Sequence, residues 1–256
     1  MIAELGPLAL CFVVLVCLAA GFAHGAIGFG FPIVATPLVA LVIDVRSAIA
    51  LLAPVTLVVV LFSAVRGGSL MEVLRRFWYL PPVIIAGSWV GTRVLLEAPP
   101  EPFLLVLAGV ILLYLNLDRL NLGRSATVKA NSIPFGLGVG FVAGASEAIA
   151  NVSGPLLLVY FMLLGLTPAQ TVQALNLCFM MGKSTQVATW AAAGGMTPAL
   201  WLAVAAFTVP SVAALFVGMR VRSRIDAATY RRWLRGALWL MAALLIGQFI
   251  ASISRS

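Results

Sequence analysis

The sequence predicts an all-α polytopic membrane protein made of two inverted repeats, each with a glycine-broken helix, and about 8–10 transmembrane segments in total. Three observations predict this class: a very apolar composition, motifs that recur in the second half, and basic residues gathered in three clusters. We expect a first membrane repeat over residues 1–120, a cytoplasmic connector over 121–131 and a second membrane repeat over 132–256.

The composition excludes a soluble domain. Hydrophobic residues make up 62% of the 256 residues and charged residues only 9%, whereas a soluble protein must cover its surface with polar side chains. The charges lie between long apolar runs, which is typical of helical membrane proteins; β-barrel strands alternate over short segments instead. The net charge of +8 therefore belongs to loops. It favours the cytoplasmic face of a lipid bilayer and argues against a nucleic-acid partner.

The first apolar run, over residues 7–43, contains the stretch GFAHGAIGFGFPIVATP at 21–37. One straight helix over this run would be about 55 Å long, far more than the ~30 Å hydrocarbon core. Each glycine inside a helix costs about 1 kcal/mol and each proline about 3 kcal/mol, so the stretch predicts a break. Pro32 suits the first turn of the helix that follows the break.

A break inside a membrane is tolerated where protein or a water-filled cavity satisfies the freed backbone groups. The N–H groups at the new helix N-terminus carry partial positive charge and attract anions. The break therefore predicts an anion-binding site. The alternative interpretation is that the glycines only allow helices to pack closely.

The chain repeats its motifs in the same order, which indicates an internal duplication. GFAHG at 21–25 is matched by GFVAG at 140–144, and GTRV at 91–94 by GMRV at 218–221. After its broken segment, each half carries three more apolar runs. They cover residues 47–65, 77–96 and 103–117 in the first half, and 169–193, 198–217 and 233–253 in the second.

The basic residues indicate the orientation. If each broken segment crosses the membrane once, one basic cluster falls on the side opposite to the other two; if it crosses twice, or dips in and returns, all three share one side. The positive-inside rule favours the second arrangement. It gives five spans per half, an odd number, so the halves are oppositely oriented, as in transporters with inverted repeats. The clusters are Arg66, Arg75 and Arg76; Arg119, Arg124 and Lys129; and Arg220, Arg222, Arg224, Arg231, Arg232 and Arg235.

Two ionisable residues lie inside apolar sequence, where charges are costly and usually functional. Glu147 lies in the second broken stretch, GASEAIANVSGP at 144–155, and Lys183 lies within the run at 169–193. Lys183 could supply a cation for an anionic substrate and Glu147 a coupling group; the alternative is an ion pair that only stabilises the fold. The lone His24 at the first break is either a second coupling group or a hydrogen-bonded packing residue. The candidate substrate-binding residues are Gly25, Gly28, Gly30, Ser146, Asn151, Ser153, Gly154, Asn176 and Lys183.

Sequence motifs for other chemistry are absent. The chain contains no nucleophile elbow, HExxH motif or P-loop, and no Cys/His/carboxylate cluster at metal-ligand spacing. We therefore expect no enzyme activity, no cofactor and no metal site. Cys11, Cys17 and Cys178 lie in apolar runs and are expected to be small core residues.

The stretch GFAHGAIGFGFPIVATPL, its weaker repeat around GFVAGASEAIANVSGPLLL and the small size of the chain resemble the TauE/SafE sulfite-exporter family of bacterial membrane proteins. The resemblance covers essentially the whole chain. It implies a secondary carrier in the bacterial cytoplasmic membrane for small sulfur-containing or organic anions, such as sulfite, a sulfonate or sulfoacetate. It also implies about eight spans, which agrees with our range if each half holds one re-entrant segment. The chain departs from the family at Phe31 and Pro32, where the family usually continues with glycine.

The leading hypothesis is an anion transporter that works by alternating access. The first alternative is an anion-selective channel lined by the same breaks, and the second is a membrane structural factor without transport. The sequence leaves open the substrate, the direction of transport, whether a proton or a sodium ion is coupled, and whether the protein forms a homodimer.

The basic clusters place both termini outside and the loops that carry these clusters inside. Cysteines introduced at Ala126 and Ala227, in a background without the native cysteines, should be protected from an impermeant thiol reagent in intact cells. They should become labelled once the membrane is permeabilised. Labelling of either position in intact cells would contradict the inverted orientation.

Overall fold

The computed structural model describes residues 6–68, 70–97, 132–151 and 153–222, and single residues between 109 and 116 and between 224 and 250. Over the four continuous ranges the chain forms helices and turns and no strand, which confirms the all-α class. The helices are α1 (Pro7–Ile27), α2 (Phe31–Val39), α3 (Val45–Arg66), α4 (Leu70–Arg76), α5 (Leu80–Glu97), α6 (Ile133–Ala150), α7 (Gly154–Leu163), α8 (Pro168–Ala192) and α9 (Pro198–Arg222).

Four of the described helices, α1, α3, α6 and α9, are long and apolar enough to cross a membrane. A fifth span results if α4 and α5, which are bent by 86° at their junction, are counted together. α8 is 25 residues long, but its polar residues lower its hydropathy. The chain is thus a multi-pass membrane protein. Apart from single residues, the expected connector at 121–131 and the run at 103–117 lie outside the described residues, as does much of the run at 233–253.

The first broken segment is interrupted at residues 28–30. α1 ends at Ile27, and Gly28 and Gly30 adopt φ values of 97° and 112°. L side chains rarely adopt this left-handed backbone, so glycine is required there. α2 then begins at Phe31 with Pro32 in its first turn. The break is therefore confirmed, and it is much shorter than the stretch at 21–37 that predicted it.

The second broken segment also passes through a left-handed residue, which is not a glycine. α6 ends at Ala150, and Asn151 takes the left-handed position with φ 56°. Ser153 is the N-cap of α7, which has Pro155 in its first turn. Asparagine tolerates the left-handed conformation better than other residues with a side chain. The second break thus keeps the left-handed residue of the first, but its N-cap Ser153 has φ −108° where Gly30 has φ 112°. It also adds polar side chains.

Both broken segments return toward the side from which they came. Leu10 near the start of α1 lines the same cavity as Arg46 at the start of α3. A Cβ on Gly136 near the start of α6 would lie 2.6 Å from the Tyr160 hydroxyl near the end of α7. α2 has 9 residues and α7 has 10, which corresponds to about 14–15 Å, half the hydrocarbon core. α2 packs against α1, and α7 packs against α6. These contacts favour the dip-and-return arrangement over two full crossings.

The structurally equivalent residues of the two halves are shifted by one helical turn from the alignment of GFAHG with GFVAG. Gly28 corresponds to Asn151, Gly30 to Ser153, and the N-cap of α3 to that of α8, whereas GFAHG and GFVAG align four residues away. The reason is the spacing of the glycines. They recur every four residues on both helices, so a shift by one turn again superposes glycine on glycine.

The broken helix of each half packs against the last described helix of the other half: α1 against α9, and α6 against α5. Glycines allow the close approach. A Cβ on Gly21 would lie 2.3 Å from the carbonyl oxygen of Ser211, and a Cβ on Gly144 would lie 2.3 Å from that of Ile84. The two contacts lie at equivalent positions, so the packing of α1 on α9 and of α6 on α5 uses the same type of glycine contact.

The repeated GTRV and GMRV motifs provide the other side of these two crossings. A Cβ on Gly91 of α5 would lie 2.4 Å from the carbonyl oxygen of Ala145, and a Cβ on Gly218 of α9 would lie 2.2 Å from that of Phe22. Ala145 and Phe22 are again equivalent positions. The motif match in the sequence therefore marks a real structural equivalence, and its purpose is helix packing.

The directions of α3 and α8 show that the two halves are inverted. These helices are equivalent, and they pack against each other in opposite directions. Near one end, Asn176 Nδ2 donates to Ser63 Oγ at 2.9 Å; toward the other end, Trp190 clusters with Ile49 and Ala50. Equivalent helices that run antiparallel indicate a two-fold axis across the bundle, as inverted repeats require.

Gly144→Ala should destabilise the protein because the new methyl group would overlap the Ile84 carbonyl at the crossing of α5 and α6. We expect a cost of about 1–3 kcal/mol or more, visible as a lower unfolding temperature of the detergent-purified protein. Gly138→Ala is the matched control on the same helix, since a Cβ there would meet nothing within 4 Å. Equal unfolding temperatures of the two variants would contradict the glycine-dependent crossing.

Candidate functional site

Lys183 lies in α8 and is completely buried. Its ammonium nitrogen lies 2.8 Å from Glu147 Oε1. It also donates to Asn151 Oδ1 and, at 2.7 Å, to Gln186 Oε1. The ion pair that the sequence offered as an alternative is thus present, and the three N–H donors of Lys183 all have acceptors.

Glu147 lies in the last turn of α6 and is also buried. While Oε1 pairs with Lys183, Oε2 accepts hydrogen bonds from the Ser153 backbone N–H at 3.0 Å and from the Ser153 hydroxyl. Ser153 is the N-cap of α7. The carboxylate therefore occupies the anion-attracting N-terminus of the half-helix and bridges it to Lys183.

Asn151 joins the two broken segments. Its backbone N–H donates to the Glu147 carbonyl at 3.0 Å and closes α6. Its side chain accepts from Lys183 and donates through Nδ2 to Thr36 Oγ1 at 3.0 Å. Thr36 belongs to α2, so the second break touches the half-helix of the first. Gly154 lies at the same junction, where an added Cβ would be 3.0 Å from Ile33.

The first break presents different chemistry at the equivalent position. The Gly28 N–H donates to the His24 carbonyl at 2.7 Å, as the Asn151 N–H does to Glu147. His24 is therefore the counterpart of Glu147. Its ring is completely buried and lies close to Asn176 and Arg222. The first break places an imidazole near a guanidinium where the second places a carboxylate near an ammonium.

The sequence-predicted site residues divide into two groups. Glu147, Asn151, Ser153 and Lys183 form one hydrogen-bonded cluster, here called the Lys183 cluster, and Gly154 borders it. The other predicted residues lie elsewhere. The first break contains Gly28 and Gly30, and His24 lies one turn before it, close to Asn176 of α8. Gly25 packs against the Leu215 carbonyl, and Ser146 donates to Ala143 O within its own helix.

Two further residues, Gln186 and Thr36, form hydrogen bonds with the Lys183 cluster and were not among the predicted site residues. Gln186 accepts from Lys183 and donates through Nε2 to the Ala148 carbonyl at 2.8 Å. Its position three residues after Lys183, on the same helix face, was the available signal. Thr36 gave no signal, because it reaches the cluster only through the tertiary contact between the two breaks. In the part of the chain that the structure describes, no three His, Cys, Asp or Glu side chains come together as a metal site.

A cavity of about 600 Å³ lies toward the other end of α8. Its wall includes Arg46 and Ser47 at the start of α3, Trp190 on α8 and Phe207 on α9. Trp190 is seven residues from Lys183, which corresponds to about 10 Å along the helix. The cavity therefore ends short of the Lys183 cluster, whose charged side chains are sealed from it.

The family model described as Sulfite exporter TauE/SafE matches residues 13–245. The chain belongs to this family. The match confirms the resemblance carried by the glycine-rich stretches, and the family is one of membrane transporters of sulfite or related anions. No curated protein and no solved structure matches the chain.

The buried pair predicts a characteristic pattern of stability. Glu147→Gln and Lys183→Met should each destabilise the protein by about 3–5 kcal/mol, because each leaves an uncompensated buried group. The double variant should regain most of this loss, since neither charge remains. Thermal unfolding of the three purified variants measures the effect. Additive losses in the double variant would contradict the direct coupling of these two side chains.

Proposed function

We propose that this member of the TauE/SafE family is a secondary transporter of a small sulfur-containing or organic anion, such as sulfite, a sulfonate or sulfoacetate. It would act by alternating access in the bacterial cytoplasmic membrane. The observation that carries the proposal is the fully buried Lys183 at the junction of two broken helices. Buried charges are costly in membrane proteins and usually belong to ion or substrate pathways.

The donors around Lys183 suit an oxyanion. An ammonium group, the Ser153 hydroxyl and the Ser153 backbone N–H converge on one point, the Glu147 carboxylate. A sulfite or sulfonate group carries three oxygens, each of which accepts hydrogen bonds of this kind. Donors of this type are stronger in a low-dielectric interior than in water. The Lys183 cluster therefore has the composition of an anion site.

The burial of the cluster supports a carrier over a channel. Lys183 and Asn151 are 0% exposed and Glu147 is 2% exposed, whereas a channel needs a continuous aqueous path. We infer that the cavity beside Arg46 is the outer access route, because Arg46 lies at the start of α3 and Arg66, which belongs to a basic cluster, lies at its other end. Transport would require movement of the reciprocal pairs α1/α9 and α5/α6 relative to α3 and α8.

Lys183→Met should weaken anion binding by about tenfold or more, the scale of a lost charge-assisted contact worth ~1.5–3 kcal/mol. Sulfite and sulfonate uptake into proteoliposomes should be lost in this variant. The Glu147→Gln/Lys183→Met double variant should also fail to transport, although it regains stability. Ser184→Met is the control, since Ser184 is the next residue on α8 and is exposed; it should transport normally. Transport at the wild-type rate by the stable double variant would refute the assignment of Lys183 to the substrate.

A further inference from the structure

We propose that the Glu147 carboxylate is a tethered anion that occupies the substrate position, so that the protein binds its substrate anion together with one proton. This inference rests on the proposed function. It adds a specific coupling ion and stoichiometry: one proton and one monovalent anion are loaded together and move in the same direction.

The carboxylate and the substrate would compete for the same donors. Glu147 Oε1 lies 2.8 Å from Lys183 Nζ, and Oε2 accepts from the N–H and hydroxyl of Ser153. These are the donors that make the Lys183 cluster suitable for an anion. Two like charges a few ångströms apart repel strongly in a protein interior. An anion therefore binds next to Lys183 only after Glu147 has taken up a proton and released its donors.

Protonation keeps the charge of the cluster constant. Before binding, the Lys183 ammonium and the Glu147 carboxylate sum to zero. After one proton has neutralised Glu147 and one monovalent anion has paired with Lys183, the sum is again zero. The buried cluster thus never carries an uncompensated charge, which would be expensive at this depth. An anion without the proton, or a proton without the anion, leaves one charge unpaired.

In the ranges that the structure describes, the charged side chain that pairs with Glu147 is Lys183 of α8. A Cβ added to Gly182 of α8 would lie 3.6 Å from both Glu147 and Ile84 of α5, and Ser88 of α5 donates to the Gly182 carbonyl. α7 contributes Ser153. These neighbours other than Lys183 are neutral. The competition therefore involves one acid, one base and one anion.

The pseudo-symmetric position supports a single coupled site per chain. The counterpart of Glu147 in the first break is His24, which is buried near Asn176 and Arg222 and carries no negative charge. Only the second break therefore holds an internal anion at the start of its half-helix. The two halves are related by a pseudo-two-fold axis, but of the two breaks only the second has a carboxylate that competes with the substrate.

The test measures the binding of methanesulfonate to purified protein by calorimetry between pH 5.5 and 8. Methanesulfonate is the probe because it stays ionised as a monovalent anion over this range. Uptake of one proton per anion predicts that the wild-type affinity falls by up to about tenfold per pH unit. Glu147→Gln should bind at least tenfold more tightly at pH 8, with little dependence on pH. Glu72→Gln is the matched control, since Glu72 is an exposed carboxylate on α4; it should keep the wild-type pH dependence.

Two further measurements apply even where Glu147→Gln is poorly folded. Methanesulfonate should raise the unfolding temperature of Glu147→Gln more than that of the wild type, because the free anion replaces the missing carboxylate beside Lys183. It should not stabilise the Glu147→Gln/Lys183→Met double variant. In wild-type proteoliposomes, an inward methanesulfonate gradient should drive proton uptake at one proton per anion, as reported by an internal pH dye.

The outcomes separate this inference from the proposed function. Transport of methanesulfonate with pH-independent binding and no proton uptake would overturn the tethered anion while leaving the transporter in place. Tighter, pH-independent binding by Glu147→Gln together with coupled proton uptake by the wild type would establish it. Absence of binding and transport of sulfite and methanesulfonate by the wild type at every pH would overturn both.

Discussion

The bond from the Glu147 carboxylate to Lys183 and to the start of α7 is the interaction on which the centre of this protein depends. A helix that breaks inside a membrane leaves backbone N–H groups without partners, and a lysine at the same depth lacks a counterion. One carboxylate meets both needs, because Oε2 accepts from Ser153 while Oε1 faces Lys183. If the carboxylate moves, the half-helix and the lysine lose a partner together. Any movement of the carboxylate therefore changes the geometry of the break and the pairing of the lysine charge together.

The pseudo-two-fold scaffold breaks its helix at equivalent places in the two halves, with different side chains at each break. Gly28 and Gly30 make the first break through positive φ alone, whereas Asn151 and Ser153 make the second with side chains that also bind. The mechanical parts, meaning the half-helices and the glycine crossings, are present in both halves. The chemistry is concentrated in one. Such a division would allow the alternating access proposed above, because the helices could take two symmetric arrangements around one ion-pair site.

The sequence predicted the class and the broken helices, because these features depend on composition and local backbone chemistry, and it offered the Glu147–Lys183 ion pair as one alternative, which is present. It did not predict which features share a site. Asn176 was grouped with Lys183 since both lie on α8, but the structure places it next to Ser63 and near His24. The motif match lies one turn away from the structural register, because Gly21 falls on a glycine, Gly140 or Gly144, in either alignment. The contact of Asn151 with Thr36 joins residues far apart in the chain, and no local pattern encodes it.

Stability alone does not account for the Lys183–Glu147 pair. A buried ion pair is usually no more stabilising than well-packed apolar side chains of similar volume, because both charges must be removed from water. Elsewhere in the bundle, helices cross at glycine contacts that carry no charge. The pair instead gives the site a property that apolar packing lacks: either charge can exchange its partner. Since the donors around Glu147 are those an oxyanion uses, the exchange available at this position is carboxylate for substrate. A proton is then what releases the carboxylate without leaving a net charge behind.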